Sequence, residues 1–236
     1  MIDLHCHILP GLDDGPGTFS EAVEMARIAA ADGVAQIVAT PHIVDDRSSV
    51  AEIEKCVAHL NTILMKQHIP MEIIQGGETS AILDPSIAAN FAICNTRYLL
   101  LEFPHTHLPK KARDTLFRIR KMGYVPIIAH PERNPSIIRN PQLLLELLDN
   151  DVLVQITAGS LTGQFGRSEK QCARYLLKKG VVNILASDAH ETHYRKPILS
   201  AGLKLATRIL GKDGAMLLVK TNPAAIIQGQ PVYQSL

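Results

Sequence analysis

Met1-Ile2-Asp3-Leu4-His5-Cys6-His7, with Asp13-Asp14-Gly15 in the turn that follows, reads as a short apolar strand that ends on metal-binding residue types. Alternate side chains of an extended strand share a face, so His5 and His7 point together while Cys6 points away. Two histidines two apart are a modest signal by themselves. What makes the stretch decisive is that its pattern, an apolar run capped by a histidine or a carboxylate, returns along the whole chain.

Apolar, β-branched runs occupy Ile2 to His5, Gln36 to Thr40, Glu72 to Gln75, Tyr98 to Leu101, Pro126 to Ala129, Val152 to Ile156 and Asn183 to Ser187. Most are almost continuously hydrophobic, as strands buried on both faces are. Helical patterns lie between them. Thr18 and Glu21 form a capping box, and the helix they open carries Val23, Ala26 and Ala30 on one stripe before Gly33 stops it. Ser49 to Gln67, Lys111 to Lys121, Pro141 to Leu148 and Ser168 to Lys179 follow the same periodicity, and further helices are expected at Leu199 to Leu210 and Ala215 to Leu218, before a tail at Pro231 to Leu236. Strand and helix alternate, which calls for a parallel sheet, and the length and regularity favour a closed barrel over an open doubly wound sheet. No Gly-rich dinucleotide fingerprint follows the first strand. The expectation is an α/β fold, a seven-stranded (β/α)7 TIM-like barrel, with residues 1–236 forming a single domain.

A parallel α/β barrel keeps its active site at the carboxyl ends of its strands. Those ends here carry His5 and His7, His42, Glu78, Glu102, His130, then Gln155 to Thr157, and finally Asp188 with His190. Histidines kept for packing would not choose such positions repeatedly. Imidazoles and carboxylates without thiolates suit manganese, iron or zinc, and so many candidates exceed the needs of one ion. A cluster of two or three ions sharing a bridging carboxylate lowers the pKa of a bound water and clamps both oxygens of an in-line displacement, as phosphate-ester hydrolysis requires. Arg133, three residues after His130, and Arg195, five after His190, lie in loops at the same face, where a guanidinium holds two phosphate oxygens. His59 and His68 read as helix-surface residues, His105 and His107 as rim residues between Pro104 and Pro109, and His193 is ambiguous. Lys110, Lys111, Arg113, Arg118, Arg120 and Lys121 give one helix a basic bias, read as a solvated face that an acidic polypeptide substrate also suits.

The 24 basic and 23 acidic residues leave a formal charge of +1, so no global field favours nucleic acid. No apolar run approaches the roughly 20 residues of a membrane span, and the first residues lack the pattern of a secretory signal. A cytoplasmic protein with reduced thiols is expected. Cys6, Cys56, Cys94 and Cys172 form no C-x-x-C pair. His5-Cys6 imitates the start of the cysteine-phosphatase loop, but Leu12 stands where that loop needs arginine.

These residues resemble the bacterial capsule and exopolysaccharide type of protein-tyrosine phosphatase, within the polymerase-and-histidinol-phosphatase (PHP) metallohydrolase superfamily. The resemblance runs through Met1 to Pro10, Asp13-Asp14-Gly15, Ala39-Thr40-Pro41-His42, Gly77-Glu78, Leu101-Glu102-Phe103-Pro104, Ala129-His130-Pro131-Glu132-Arg133 and Ala186-Ser187-Asp188-Ala189-His190. It implies a distorted seven-stranded barrel of the PHP type holding three divalent ions, with manganese a frequent occupant. It assigns His5, His7, Glu78 and Asp188 to the first ion, Glu78 as a bridge to a second with Glu102 and His130, and Asp14, His42 and His190 to the third. Arg133 and Arg195 match the family's phosphate-binding arginines. The substrate it implies is a phosphotyrosine protein, the tail of a bacterial tyrosine kinase that controls polysaccharide export. Two rivals are a small-molecule phosphatase of the same superfamily, acting for example on histidinol phosphate, and a metal-binding module that has lost catalysis. The latter should show gaps in the ligand set, and no gap is present.

Overall fold

Nine strands appear in the computed structural model, which describes residues 1–148 and 151–232. They are β1 (Ile2–Cys6), β2 (Gln36–Ala39), β3 (His42–Ile43), β4 (Glu72–Gln75), β5 (Glu78–Ser80), β6 (Tyr98–Glu102), β7 (Val125–Ala129), β8 (Leu153–Thr157) and β9 (Ile184–Ala186). All seven expected runs form strands, and every pairing is parallel. The additions are β3 and β5, which extend the paths of β2 and β4 after breaks at Thr40-Pro41 and Gly76-Gly77. Proline has no amide proton to give a ladder. The strands therefore divide between two sheets, β1-β2-β4 and β3-β5-β6-β7-β8-β9. A single bridge between Cys6 and Ala189 links β1 to the chain after β9, supported by bonds from Asp188 N to His5 O and from His7 N to Ala189 O, each 2.8 Å.

The helices are α1 (Phe19–Ala31), α2 (Val50–Lys66), α3 (Pro85–Ala88), α4 (Ala112–Lys121), α5 (Pro135–Arg139), α6 (Gln142–Leu145), α7 (Ala158–Thr162), α8 (Arg167–Lys178), α9 (Ser200–Met216) and α10 (Asn222–Ile227). The capping box of α1 is present, with Thr18 Oγ1 accepting from Glu21 N at 3.2 Å and Glu21 Oε2 accepting from Thr18 N at 3.2 Å. Two corrections concern the other helices. The expected helix at Pro141 to Leu148 is only the short α6, with α5 before it, because the turn at Asn140-Pro141 separates the two. The one at Ala215 to Leu218 is the end of α9, which bends at Gly211 and passes into a π turn over Leu217–Thr221. Of the tail, residues 233–236 lie outside the described residues.

Side chains of the strands divide into two apolar groups by alternation. Leu99, Leu101, Ile128, Val154, Ile156 and Leu185 pack outward against the helices. Leu4, Val38, Leu100, Ile127, Leu153 and Ile184 meet one another in a second cluster, floored by Ile226 of α10. Each such side chain taken from water contributes about 1.5–3 kcal/mol. β1 departs from strict alternation. Asp3 pairs with Ile37 and Cys6 with Ala39, so β1 spends one residue more than β2 between the two pairs. This bulge lets Leu4 join the inner cluster and still aims His5 inward, while Cys6 packs outward.

Candidate metal centre

At the carboxyl ends of these strands the nine predicted ligands come together. His5 lies on β1 and His7 just beyond it; Asp14 follows in the next loop; His42 opens β3 and Glu78 opens β5; Glu102 ends β6; His130 follows β7; Asp188 and His190 follow β9. Their donor atoms form overlapping groups, each compact enough for one cation: His7, Asp14, His42 and His190; His5, His130 and Asp188; His5, His7 and Glu78; His42, Glu78 and Glu102. Glu78 is the hub. Its Oε1 is 3.0 Å from His130 Nε2 and 3.3 Å from His5 Nε2, and its Oε2 is 2.9 Å from His42 Nδ1 and 3.4 Å from His7 Nε2. Asp188 Oδ1 lies 3.4 Å from His5 Nε2 and 3.5 Å from His7 Nε2. At the outer edge Asp14 Oδ1 is 3.2 Å from His190 Nε2 and 3.6 Å from His42 Nε2.

The chemistry of this donor set fits divalent cations. His5 Nε2 and His7 Nε2 face each other at 3.1 Å, where one shared proton serves at most one of them. Glu78 Oε2, Glu102 Oε1 and His190 Nε2 are buried, yet among the described residues none has a hydrogen-bond partner of acceptable geometry. Buried polar atoms without a well-aligned hydrogen bond are costly, and a cation among them removes that cost.

Neighbouring groups fix the ligands in place. Asp13 Oδ2 accepts from His7 Nδ1 at 2.6 Å and from His42 N at 3.0 Å, and Asp13 Oδ1 accepts from Gly15 N at 2.9 Å. Gln155 Oε1 accepts from His5 Nδ1 at 2.9 Å. Both contacts leave Nε2 of the histidine as the inward donor, the way outer-shell carboxylates and amides commonly orient metal-binding imidazoles. Gly15 permits the turn: a Cβ there would stand 2.3 Å from His7 O. Asp13 and Gln155 were not predicted. The adjacency of Asp13 to Asp14, and the place of Gln155 at the end of β8, were the available signals.

His130 and Asp188 both have left-handed backbone, with φ of 30° and 52°, a conformation that non-glycine residues seldom adopt and that marks functional positions. Each turns its strand end sharply enough to point the side chain into the centre. Electrostatics follow the packing. Burial pushes the Asp188 carboxyl up, but His5, His130, Arg195 and Arg133 together hold it well below the usual range. Burial likewise opposes the charge on His7, but Asp13 and Glu78 raise it to about 10. Burial and then the neighbouring His7 push His190 down to about 3.

Arg133 and Arg195 both approach Asp188 Oδ2; the Arg195 contact is 2.7 Å. Glu132, beside Arg133, is structural: its Oε1 accepts from Thr157 N, Thr157 Oγ1 and Ser160 Oγ at 2.7–2.9 Å, anchoring the loop to β8. His105 reaches Glu102 Oε1 at 3.0 Å from the rim, and His193 lines an open cavity beside Asp14 and His190. The basic residues of α4 are largely engaged by neighbours, Arg118 with Asp84 and Arg120 with Asp151.

A parallel α/β fold with imidazoles and carboxylates at its strand ends, and two arginines at the lip, is the frame of a metal-dependent hydrolase. The chain belongs to the CpsB/CapC family of capsular polysaccharide synthesis, whose model matches residues 1–228. It is 34% identical over 240 residues to the tyrosine-protein phosphatase YwqE of Bacillus subtilis, covering 99% of this chain and 94% of that one. It is 38% identical over 197 residues to the putative tyrosine-protein phosphatase CapC of Staphylococcus aureus, covering 80% and 77%. Its fold superposes with a TM-score of 0.92, at 33% identity over 100% of this chain and 97% of the other, on a chain from the crystal structures of YwqE from B. subtilis and CpsB from Streptococcus pneumoniae, described as unique metal-dependent tyrosine phosphatases.

Proposed function

We propose that this chain is a metal-dependent protein-tyrosine phosphatase, a phosphoric monoester hydrolase, acting on the tail of a bacterial tyrosine kinase that regulates capsule or exopolysaccharide production. The observation that carries this reading is the buried set of mutually facing donors around Glu78 with two guanidiniums converging beside it. The donor set would take three divalent ions, manganese first and iron or zinc as alternatives. His5, His7, Glu78 and Asp188 would hold one, Glu78 with Glu102 and His130 would hold a second, and Asp14, His42 and His190 would hold the third. Such ions, when bound, would supply an acidified water as nucleophile and neutralise phosphoryl charge.

The chain's own contribution is orientation and charge. Asp13 and Gln155 fix the tautomers of His7 and His5. Arg133 and Arg195 hold two phosphoryl oxygens, and their hold strengthens as negative charge grows on the transferring group. A tyrosine hydroxyl has a pKa of about 10, so phenolate leaves readily and no general acid is assigned.

We further read the two sheets as halves of one distorted seven-stranded barrel of the PHP type. Supporting this are the Cys6–Ala189 bridge at one seam, the continuation of β2 and β4 into β3 and β5 at the other, and the shared inner cluster of Leu4, Val38, Leu100, Ile127, Leu153 and Ile184. Residues 1–236 are read as one domain. Among the described residues no helix is long and apolar enough to cross a membrane. The four cysteines are free thiols, in keeping with a cytoplasmic setting.

The test compares turnover of a phosphotyrosine peptide with that of histidinol phosphate, before and after chelation and with manganese restored. Preferred turnover of the peptide, lost on chelation and regained with manganese, is expected. Activity that survives exhaustive chelation, or a preference for histidinol phosphate, would refute the proposal.

A further inference from the structure

Asp188 is not the only group on which the two arginines meet. The Cζ of Arg133 lies 4.6 Å from the centroid of the Phe165 ring, and that of Arg195 lies 6.0 Å from the same centroid. One aromatic ring thus serves two cations that would otherwise repel each other beside a single carboxylate oxygen. The negative face of an aromatic ring attracts guanidinium, the more so when water is partly excluded.

The loop that presents this ring is built to hold it still. Phe165 sits between α7 and α8. Gln164 Nε2 donates to Tyr194 O at 2.5 Å, and Tyr194 Oη donates to Gln164 O at 2.8 Å. These reciprocal bonds clasp the residue before Phe165 to the residue before Arg195. Against the Cε2–Cζ edge of the ring is the bare backbone of Gly159, where a Cβ would stand 2.7 Å from Phe165 Cε2. The ring, the seat and one arm of the clasp lie within residues 159–165 and the other arm is Tyr194, so two segments converge on the arginine pair.

We infer that Phe165 is a positioning residue, stacking against Arg133 and steadying Arg195 so that both guanidiniums reach the phosphoryl group already aligned. The inference rests on the phosphate-binding role proposed for the two arginines. A ring used only to fill space is replaceable by another apolar side chain; a ring used for its π face is not.

The experiment uses the metal-loaded, full-length protein with Phe165→Leu, Phe165→Met, Phe165→Tyr, Arg133→Ala and the double variant Phe165→Leu/Arg133→Ala. Turnover of a phosphotyrosine peptide, competitive inhibition by inorganic phosphate, metal content and Tm are measured on each. Phe165→Leu and Phe165→Met are expected to keep their metal and lose roughly 3- to 30-fold in kcat/KM, as loss of a cation–π contact implies, with phosphate inhibition weakened in parallel. Phe165→Tyr should remain within about twofold of the parent, since it keeps the face. In the Arg133→Ala background the Phe165→Leu penalty should shrink to about twofold or less, because the closer stacked partner is gone. Should Phe165→Leu fold poorly, Phe165→Met and Phe165→Tyr decide the matter. Parent-like kinetics in the aliphatic variants, failure of tyrosine to rescue, or an undiminished penalty in the double variant would overturn the inference while leaving an impaired Arg133→Ala to support the phosphate-binding role. A parent-like Arg133→Ala would overturn that role and this inference with it.

Discussion

Replacing Glu78 with glutamine removes one negative charge and almost no volume from the hub of the centre. The carboxylate is buried and has four imidazole nitrogens at 2.9–3.4 Å. At an effective dielectric of about 20, a unit charge 3.4 Å from an opposite one is worth roughly 5 kcal/mol. Removing one partner from a buried ionic group generally costs about 3–5 kcal/mol, because the remaining charge is left uncompensated. A divalent cation, with twice the charge, feels at least as large a deficit. Taking the lower bound, about 3 kcal/mol corresponds to more than 100-fold in a dissociation constant. Glu78→Gln is therefore expected to bind manganese at least about 100-fold more weakly, and to turn over a phosphotyrosine peptide only in excess metal. Calorimetric titration of the demetallated protein, metal analysis after desalting and turnover against manganese concentration measure this. Circular dichroism shows whether the fold persists. A folded variant with unchanged metal content and affinity within about threefold of the parent would show that Glu78 is not a ligand, and the argument from its geometry would fail.

Three further outcomes follow from the surroundings of the site. His7, raised to about 10 by Asp13 and Glu78 against the opposing effect of burial, carries a proton at neutral pH when no cation is bound. Metal binding should release it, and apparent affinity should climb with pH until about 10, as proton release measured in two buffers of different ionisation enthalpy will show. The sign for folding is the reverse. The stabilisation from His7 in the demetallated protein is complete below the unfolded value of 6.5 and is lost as pH rises through about 10. Asp13→Ala should weaken metal binding or turnover about 10- to 100-fold, as loss of an orienting outer partner does; an unchanged metal titration would remove it from that role. Burial pushes the thiol of Cys6 up, and that of Cys172 up to about 12. Cys6→Ser should therefore stay active, and iodoacetamide should label neither thiol in the folded protein; inactivation traced by mass spectrometry to Cys6 would contradict this.

Much of this was readable in the sequence because the inner positions of strands and the carboxyl ends of strands impose different chemistry. The apolar runs gave the order of the strands, and His5, His42, Glu102, His130 and Asp188 stand out because polar residues at such points have no packing reason to be there. What escaped the sequence was local. Alternation predicts that His5 and His7 share a face, as they do, but not the bulge that lets Leu4 point inward beside His5. Strands as short as His42–Ile43 and Glu78–Ser80 have too few residues to show a period. Gln155 and Phe165 act through partners distant in the chain, and although Asp13 lies only six residues after His7, nothing in the immediate neighbours of these three identifies the imidazole or guanidinium that each one meets.

The left-handed backbone at His130 and Asp188 sets two selection pressures against each other. Glycine would sit there at ease, whereas a side chain costs of order 1–2 kcal/mol, and only the chemistry of the site gives a reason to keep imidazole and carboxylate at those points. A library screened for thermal resistance alone, without metal, should admit glycine at His130 more readily than at Asp188, whose buried carboxylate also neutralises Arg133 and Arg195. The same library screened for turnover should hold His130 and Asp188 fixed. Backbone ease and side-chain chemistry are in competition at these two residues, and heat-stable variants of this enzyme should be sought everywhere else.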